Sequence, residues 1–304
     1  MIITVLFGFF LFASAIVANK LILHVLSPML FVGIRMLAGG IILMAYNWRR
    51  STRFTYSYLR NDVVILLCIS LFTTLIPSVL KAYALKNLFT SQAAFLASLD
   101  PFVTAVYAYI IWQEKLSVQK TIGILLGFIG TLILLRGNLP LTIGQQAWGM
   151  LSYPEIAALL AMAIGRLGWM LVQKVVRADR YSPSEVNGII MVVSGLCSLI
   201  IALATEPLPR VVPTDVFQLI GLFAFTVIIG NVIAYTMYSH FLRHYSSTFV
   251  SLAGFSIPLY VYFLSWLLLD EPITTNLVLA TAVTLVGVYL FYQNEIRHGA
   301  LSSK

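Results

Sequence analysis

Two arginines inside strongly apolar stretches are the residues best suited to bind a charged ligand. Arg35 follows Pro28 by seven residues, and Arg166 lies near the middle of a later apolar stretch. A charge within a membrane-spanning helix costs at least about 2.5–3.5 kcal/mol on insertion scales, so each guanidinium should face the protein interior, water, a polar partner or a substrate. Either arginine would attract a carboxylate or a phosphate. For Arg35, the alternative is pairing with helix-end carbonyls or extension towards the membrane surface.

Trp169 lies one helical turn beyond Arg166. Because residues three apart share a helical face, the guanidinium and the indole would address one aqueous cavity. The pair predicts a transport pathway that holds an anionic group and an apolar or ring-bearing body. The flanking Gly165 and Gly168 suit close helix packing equally well.

Polar side chains in other apolar stretches are further candidates for the pathway. Asn231 and Tyr235 are one turn apart and form a polar stripe that should face inward. Gln92 and Asn19 are interpreted in the same way, with a hydrogen bond to another helix as the alternative.

Tyr83 and Tyr238 occupy matching positions in the internal repeat described below. We expect them to act as gates near opposite membrane faces, with interfacial anchoring as the alternative. Pro77, Pro101 and Pro258 free backbone carbonyls within or beside the spans, so they are hinge candidates or static kinks.

Motifs for catalysis, metal binding or cofactor binding are absent from the sequence. It contains no Gly-rich phosphate loop, no zinc-ligand cluster and no closely spaced cysteine pair. We therefore predict no catalytic residue, no metal and no cofactor. Glu114 and Glu271 follow the fourth and ninth spans, where we expect them to cap the helices that come next.

The composition places these residues in a membrane protein. Of 304 residues, 60% are hydrophobic and 10% charged, and the mean hydropathy is +0.94. Soluble domains have about 25% charged residues, so a water-soluble globule is excluded. A helix needs about 20 apolar residues to cross a bilayer. Ten such stretches fall near residues 2–22, 28–46, 63–83, 89–111, 118–135, 154–173, 184–204, 216–237, 247–269 and 274–292.

The net charge of +8 follows the positive-inside rule. With the N-terminus in the cytoplasm, the inside segments hold twelve of the nineteen Lys and Arg residues and the outside segments hold five. Both termini are therefore predicted to be cytoplasmic. The basic charge reflects topology and attraction to anionic membrane lipids, not binding of nucleic acid.

An internal repeat divides the chain into residues 1–140 and 141–304, with five predicted helices each. Because five is an odd number, the second copy enters the bilayer from the opposite side, which makes an inverted repeat. A shift of 157 residues places Pro101 on Pro258, Glu114 on Glu271 and Gly130 on Gly287. A shift of 155 places Ser27 and Pro28 on Ser182 and Pro183, Gly33 on Gly188, and Tyr83 on Tyr238.

These marks, with the segment Ala82-Tyr83-Ala84-Leu85 and the Gly-rich helix that follows each Glu, resemble the drug/metabolite transporter superfamily, in particular its EamA-type ten-helix branch. The resemblance covers nearly the whole chain. It implies a secondary carrier that works by alternating access, with its substrate in a central cavity between the halves. It also implies that helices one, three, four, six, eight and nine line this cavity, whereas helices five and ten pack at the side.

The resulting hypothesis is a carrier of amino acids or related zwitterionic or anionic metabolites in the bacterial inner membrane. The alternative is an importer or exchanger of a nucleoside-like metabolite such as S-adenosylmethionine. A channel, a membrane enzyme or a scaffold is disfavoured, because the intramembrane charges are scattered and few are carboxylates. A proton or sodium ion is the candidate coupling ion, and the sequence is compatible with a monomer or a dimer.

Overall fold

The computed structural model describes residues 2–49, 56–112, 118–136, 152–178, 181–206, 216–245, 250, 254 and 256–297. Within these residues the chain is almost entirely helical, and no β-strand is present. The predicted all-α class is confirmed for this part of the chain.

The helices are numbered in chain order. Helices α1 to α6 are Ile2–Leu23, Pro28–Arg49, Tyr56–Ile69, Ile76–Asn87, Thr90–Ala97 and Asp100–Trp112. Helices α7 to α13 are Val118–Arg136, Tyr153–Arg177, Pro183–Thr205, Val216–Phe225, Tyr235–His244, Ser256–Leu269 and Thr275–Arg297. Two π-helical segments, π1 (Ser70–Leu75) and π2 (Thr226–Ala234), join α3 to α4 and α10 to α11 without a break.

Within the described ranges, six helical stretches are long and apolar enough to cross a membrane, which makes the protein a multi-pass membrane protein. They are Thr4–Leu23, Pro28–Arg49, Asp62–Asn87, Tyr153–Arg177, Pro183–Thr205 and Val216–His244. Shorter apolar helices occur at Thr121–Gly130, Ser256–Leu269 and Thr275–Leu290. The ten crossings and the cytoplasmic termini stay predictions.

Local sequence signals set the starts of α8 and α9. Each helix is preceded by a serine whose backbone N–H donates to a glutamate three residues later, at 2.8 Å for Ser152 and Glu155 and 2.7 Å for Ser182 and Glu185. A proline follows in the first turn of each helix, where its missing N–H costs nothing. These capping boxes fix where both helices begin.

Pro77 lies beside π1, in the first turn of α4. Proline has no N–H to donate to the carbonyl four residues earlier, so the α-helical pattern cannot continue through this turn. The π-helical segment Ser70–Leu75 ends two residues before it. Pro77 therefore lies at an irregular point in a long apolar helix, and its role as a hinge stays a prediction. A shift of 155 residues places π1 on residues 225–230, which overlap π2.

Close backbone packing joins α2 to α9. A Cβ atom added at Gly195 would lie 2.5 Å from the backbone nitrogen of Leu37, and one at Gly40 would lie 2.7 Å from that of Val192. Only glycine permits this approach, as is common between membrane helices. Helices α7 and α13 form a second extensive pair. Each pair consists of helices that correspond in the predicted repeat.

Helices α1 and α8 run in opposite directions. Near the start of α1, Phe9 shares an apolar cluster with Trp169, which lies in the second half of α8. The same cluster contains Leu242, and the carbonyl of Leu242 accepts a hydrogen bond from Arg177 at the end of α8. At its other end, α1 contacts the last turn of α4, which packs against Ala158 near the start of α8. The first helices of the two predicted repeats are thus antiparallel.

Candidate functional site

A cavity of about 230 Å³ lies among α1, α2, α4, α5, α8 and α11. The first residue of α6, Gly230 of π2, the start of α12, and Val250 and Gly254 before α12 also line it. Small side chains, many of them alanines of α4 and α5, leave the space open, whereas charged and aromatic side chains line the rest. The family resemblance implies a cavity lined by the predicted spans one, three, four, six, eight and nine. The helices α1, α4, α5, α6, α8, α11 and α12 all belong to these spans. Helix α2 is an addition, since it contributes Phe31 and Arg35.

A buried ion pair lies in the cavity wall. The Nη1 atom of Arg166 donates to Oδ2 of Asp100 at 3.1 Å and to the hydroxyl oxygen of Tyr238 at 3.2 Å. The Arg166 side chain is fully buried, whereas 24% of the Asp100 side chain is exposed. Arg166 therefore faces the cavity with its charge already matched by a carboxylate.

The position of Asp100 follows from an interruption between α5 and α6. Helix α5 ends at Ala97, and α6 begins at Asp100. A carboxylate in the first turn of a helix is stabilised by the exposed N–H groups and the helix dipole. Sequence analysis did not identify Asp100 as a site residue. The available signal was an acidic residue inside the predicted span 89–111, directly before Pro101.

Arg35 contrasts with Arg166, although both line the cavity. Only 8% of Arg35 is exposed, and its guanidinium carbon lies 4.9 Å from the centre of the Phe31 ring. Among the described residues, its Nε atom has no hydrogen-bond partner and no carboxylate forms an ion pair with it. The buried Oδ1 atom of Asn19, also in the wall, similarly lacks a partner among the described residues. Arg35 is thus a buried cation that a ligand anion would complement.

Aromatic side chains form another part of the wall. The Trp169 ring lies 4.5 Å from that of Tyr238 and 5.5 Å from that of Tyr235, measured between centroids. Phe12 and Phe9 pack against Tyr238 at 6.0 and 6.1 Å. Such a cluster provides flat apolar surfaces and electron-rich faces for a ring or an organic cation.

The structure brings most of the predicted residues together at the cavity. Those that line it are Asn19, Arg35, Arg166, Trp169, Tyr235, Tyr238 and Pro258. Tyr83, Asn231, Gln92 and Pro77 lie outside the lining. The side chain of Pro101 lies outside the described residues.

Two predicted pathway residues instead support the helices. Asn231 is fully buried, with its Nδ2 atom 2.9 Å from the Met36 sulfur, so it faces inward but joins helices. Gln92 accepts a hydrogen bond at 3.4 Å from the backbone N–H of Phe89 and thereby caps α5. The Asn231 amide thus contacts a neighbouring helix, whereas Gln92 bonds within its own helix cap, and a role of either residue in the pathway stays a prediction.

Tyr83 does not mirror Tyr238. Tyr238 belongs to the aromatic wall, whereas Tyr83 is 39% exposed and lies outside the cavity lining. The two tyrosines thus have different surroundings, and their role as gates stays a prediction. Equivalent positions in a repeat share a backbone course, but their neighbours differ.

Glu271 caps a different helix from the one that we expected. Its carboxylate accepts from the backbone N–H of Thr90 at 2.7 Å and from the N–H and hydroxyl of Ser91, both at 3.2 Å. These groups begin α5, far from α13 in sequence, so the expectation for Glu271 was wrong. Glu114, the matching residue of the first half, lies outside the described residues.

Two clusters of helix-capping hydrogen bonds lie at opposite ends of α8. In the Lys20 clasp, the Lys20 ammonium of α1 donates to the carbonyls of Leu85, Lys86 and Leu88, at 2.7, 3.3 and 2.6 Å, at the end of α4. In the Arg177 clasp, Gln173 and Arg177 of α8 donate to the carbonyls of Leu242 and Tyr245 at the end of α11. Leu88 and Leu159 of α8 pack against the same buried cluster, so the clasps are about 27 Å apart along α8 at 1.5 Å per residue.

A bundle of apolar helices around a cavity with charged and aromatic walls defines a membrane transporter of small molecules. No group of three or more His, Cys, Asp or Glu within the described ranges could hold a metal ion. The chain belongs to the EamA-like transporter family, whose model matches residues 1–136 and 152–293. The predicted resemblance is thereby confirmed, and this family consists of transporters rather than enzymes.

Similar proteins cover nearly the whole chain. An S-adenosylmethionine/S-adenosylhomocysteine transporter of Chlamydia muridarum is 30% identical over 298 residues, which are 97% of this chain and 92% of the relative. A transporter of the same description from Chlamydia trachomatis serovar L2 is 29% identical, over 95% of this chain and 88% of the relative. One solved crystal structure matches 97% of both chains with a TM-score of 0.69 and 16% identity, which supports the same fold.

Proposed function

We propose that this protein transports S-adenosylmethionine, S-adenosylhomocysteine or a closely related adenosyl amino acid across the inner membrane by alternating access. The observation that carries the proposal is the similarity, over 97% of the chain, to a transporter described for these two metabolites. This similarity favours the nucleoside-like alternative over the free amino acids that were our main sequence-based hypothesis.

The chemistry of the cavity supports such a cargo. An adenosyl amino acid combines an aromatic base with a carboxylate and an ammonium group, and S-adenosylmethionine adds a sulfonium cation. The wall offers aromatic faces at Trp169 and Tyr235, cations including Arg35, and the carboxylate of Asp100. Each charged part of the cargo therefore has a counterpart of opposite sign or an aromatic face.

Alternating access is supported by the relation between the two halves. The family model matches two successive segments of the chain, α1 and α8 are antiparallel, and π1 and π2 overlap after a shift of 155 residues. Carriers built from inverted repeats expose a central site to each side in turn. The excess of Lys and Arg in predicted cytoplasmic segments supports an orientation with both termini inside.

Counterflow into proteoliposomes tests the proposed function. Vesicles containing purified protein and unlabelled S-adenosylhomocysteine should accumulate labelled S-adenosylmethionine, and phenylalanine or tyrosine in excess should not compete. Arg35→Gln should reduce this uptake at least tenfold, because a charged hydrogen bond is worth about 1.5–3 kcal/mol. Arg49→Gln is the matched control, since Arg49 lies at the exposed end of the same helix. Counterflow of free amino acids without uptake of either adenosyl compound would contradict the proposal.

A further inference from the structure

In the part of the chain that the structure describes, three cationic residues line the cavity wall, and they differ in how their charge is balanced. Arg166 is fully buried and donates to Asp100 and Tyr238. Arg35 is buried without an ion-pair partner among the described residues, and Lys81 is an exposed lysine of α4. An anionic group on a cargo gains most at the cations whose charge has no carboxylate beside it. This favours Arg35 and Lys81, rather than Arg166, for the carboxylate of the cargo.

Asp100 is the single acidic residue among the described residues that line the cavity. Within the Arg166–Asp100 pair, the guanidinium is inaccessible whereas 24% of the carboxylate side chain is exposed, so Asp100 is the member that a ligand can reach. A carboxylate can accept about four hydrogen bonds. It can therefore keep its bond to Arg166 and still accept one from a cationic group of the cargo.

A polar cluster that could hold the opposite end of a zwitterion lies on other helices. Ser78 and Lys81 are three residues apart on α4, so they share a helical face, and both line the cavity. Arg35 of α2 and Asn19 of α1 add a guanidinium and an amide to the same wall. The positive groups come from α2 and α4, whereas the accessible negative group comes from the start of α6.

We propose that Asp100 is the specificity-determining residue that binds the cationic centre of the cargo, and that Arg35 binds its carboxylate. Arg166 is then a positioning residue that holds Asp100 towards the cavity rather than a ligand of the cargo. This inference rests on the proposed function and identifies how that site recognises an adenosyl amino acid. It reverses the role that the sequence suggested for Arg166.

Binding of matched analogues to purified protein tests this assignment. The probes are S-adenosylhomocysteine, its deamino analogue, which keeps the carboxylate, and its decarboxy analogue, which keeps the ammonium group. If Asp100 binds the ammonium group, Asp100→Asn should weaken binding of the first and third probes by about tenfold or more and change binding of the deamino analogue less than about threefold. Arg35→Gln should weaken binding of S-adenosylhomocysteine and of its deamino analogue, and it should leave binding of the decarboxy analogue unchanged.

S-adenosylmethionine separates the two cationic centres that Asp100 can bind. If Asp100 binds the ammonium group, Asp100→Asn weakens binding of S-adenosylmethionine and of S-adenosylhomocysteine by similar factors. If Asp100 binds the sulfonium group, the variant weakens S-adenosylmethionine alone, since only that compound carries this group. Both results support a cation-selecting role for Asp100, and the difference between them shows whether the bound cation is the ammonium or the sulfonium group.

Variants of the ion pair separate recognition from folding. Asp100→Asn combined with Arg166→Gln removes both buried charges, and this double variant should show the same loss of preference for cationic probes. Arg166→Lys keeps a cation behind Asp100 and should retain the preference. Asp270→Asn is the matched control, because Asp270 is exposed in a turn outside the cavity.

Three outcomes would overturn one part or the other. The assignment of Asp100 fails if neither Asp100→Asn nor the double variant changes the relative affinity for deamino and decarboxy probes, and neither weakens binding of S-adenosylmethionine relative to S-adenosylhomocysteine. The positioning role fails if Arg166→Gln selectively weakens the deamino analogue, because Arg166 would then bind the carboxylate itself. If the wild-type protein binds none of the adenosyl compounds, the proposed function fails, and with it the assignment.

Discussion

Removing Asp100 should destabilise the protein more than removing Arg166, although the two residues form one ion pair. Breaking a buried pair by removing one partner costs about 3–5 kcal/mol, because the remaining charge stays buried. Asp100→Asn leaves a fully buried guanidinium. The asparagine oxygen and the Tyr238 hydroxyl can still accept from it, so we expect a loss near the lower end, about 3 kcal/mol.

Arg166→Gln leaves the less buried partner. The Asp100 side chain is 24% exposed and can be hydrated by cavity water, so the expected loss is smaller, about 1–2 kcal/mol. The double variant should lose less than the sum of the single losses, with a coupling free energy of at least about 1.5 kcal/mol. Asp270→Asn should change stability by less than about 0.5 kcal/mol.

Reversible unfolding by SDS in mixed micelles, followed by circular dichroism, measures these free energies. Additive effects of the two substitutions would refute the assigned ion pair. A larger loss for Arg166→Gln than for Asp100→Asn would refute the reasoning from relative burial.

The remaining predictions concern the packing and capping contacts. Gly195→Ala should lower the free energy of unfolding by about 1–3 kcal/mol in the same assay, because the added Cβ would lie 2.5 Å from the Leu37 nitrogen. Gly221→Ala is the control and should not destabilise the protein, because nothing lies within 4 Å of the added Cβ. Glu271→Gln should cost about 1–2 kcal/mol, since it removes the charge that caps α5, and faster hydrogen exchange at Thr90 would report the loss. Lys20→Met removes three hydrogen bonds at the end of α4, so hydrogen exchange of the backbone amides around Leu88 should become faster. Unchanged exchange would contradict the Lys20 clasp.

The sequence predicted the features that depend on the membrane as a solvent. Apolar stretches of spanning length gave the helices, and the cost of an intramembrane charge placed Arg35 and Arg166 away from lipid. Both arginines line the cavity. Helical geometry alone predicted that Arg166 and Trp169 share a helical face. In the structure Arg166 donates a hydrogen bond to the Tyr238 hydroxyl, and the Trp169 ring packs against the Tyr238 ring.

Features that depend on contacts between distant segments could not be predicted in this way. The partner of Arg166 is Asp100, 66 residues earlier, and the helix capped by Glu271 begins 181 residues earlier. A capping carboxylate has no sequence signal that distinguishes the helix beside it from one that packs against it in space. Tyr83 and Asn231 illustrate the same limit, since their polarity was visible but their neighbours were not.

The central claim is that the cavity opens to each side of the membrane in turn and holds the cargo. Ala97 lines the cavity and its side chain is small, so Ala97→Cys in a background with Cys68→Ala and Cys197→Ala provides a reporter. A membrane-impermeant maleimide should modify this cysteine in both right-side-out and inside-out vesicles, and S-adenosylhomocysteine should slow the reaction from each side. Modification from one side only, or rates that do not respond to any adenosyl compound, would contradict the account.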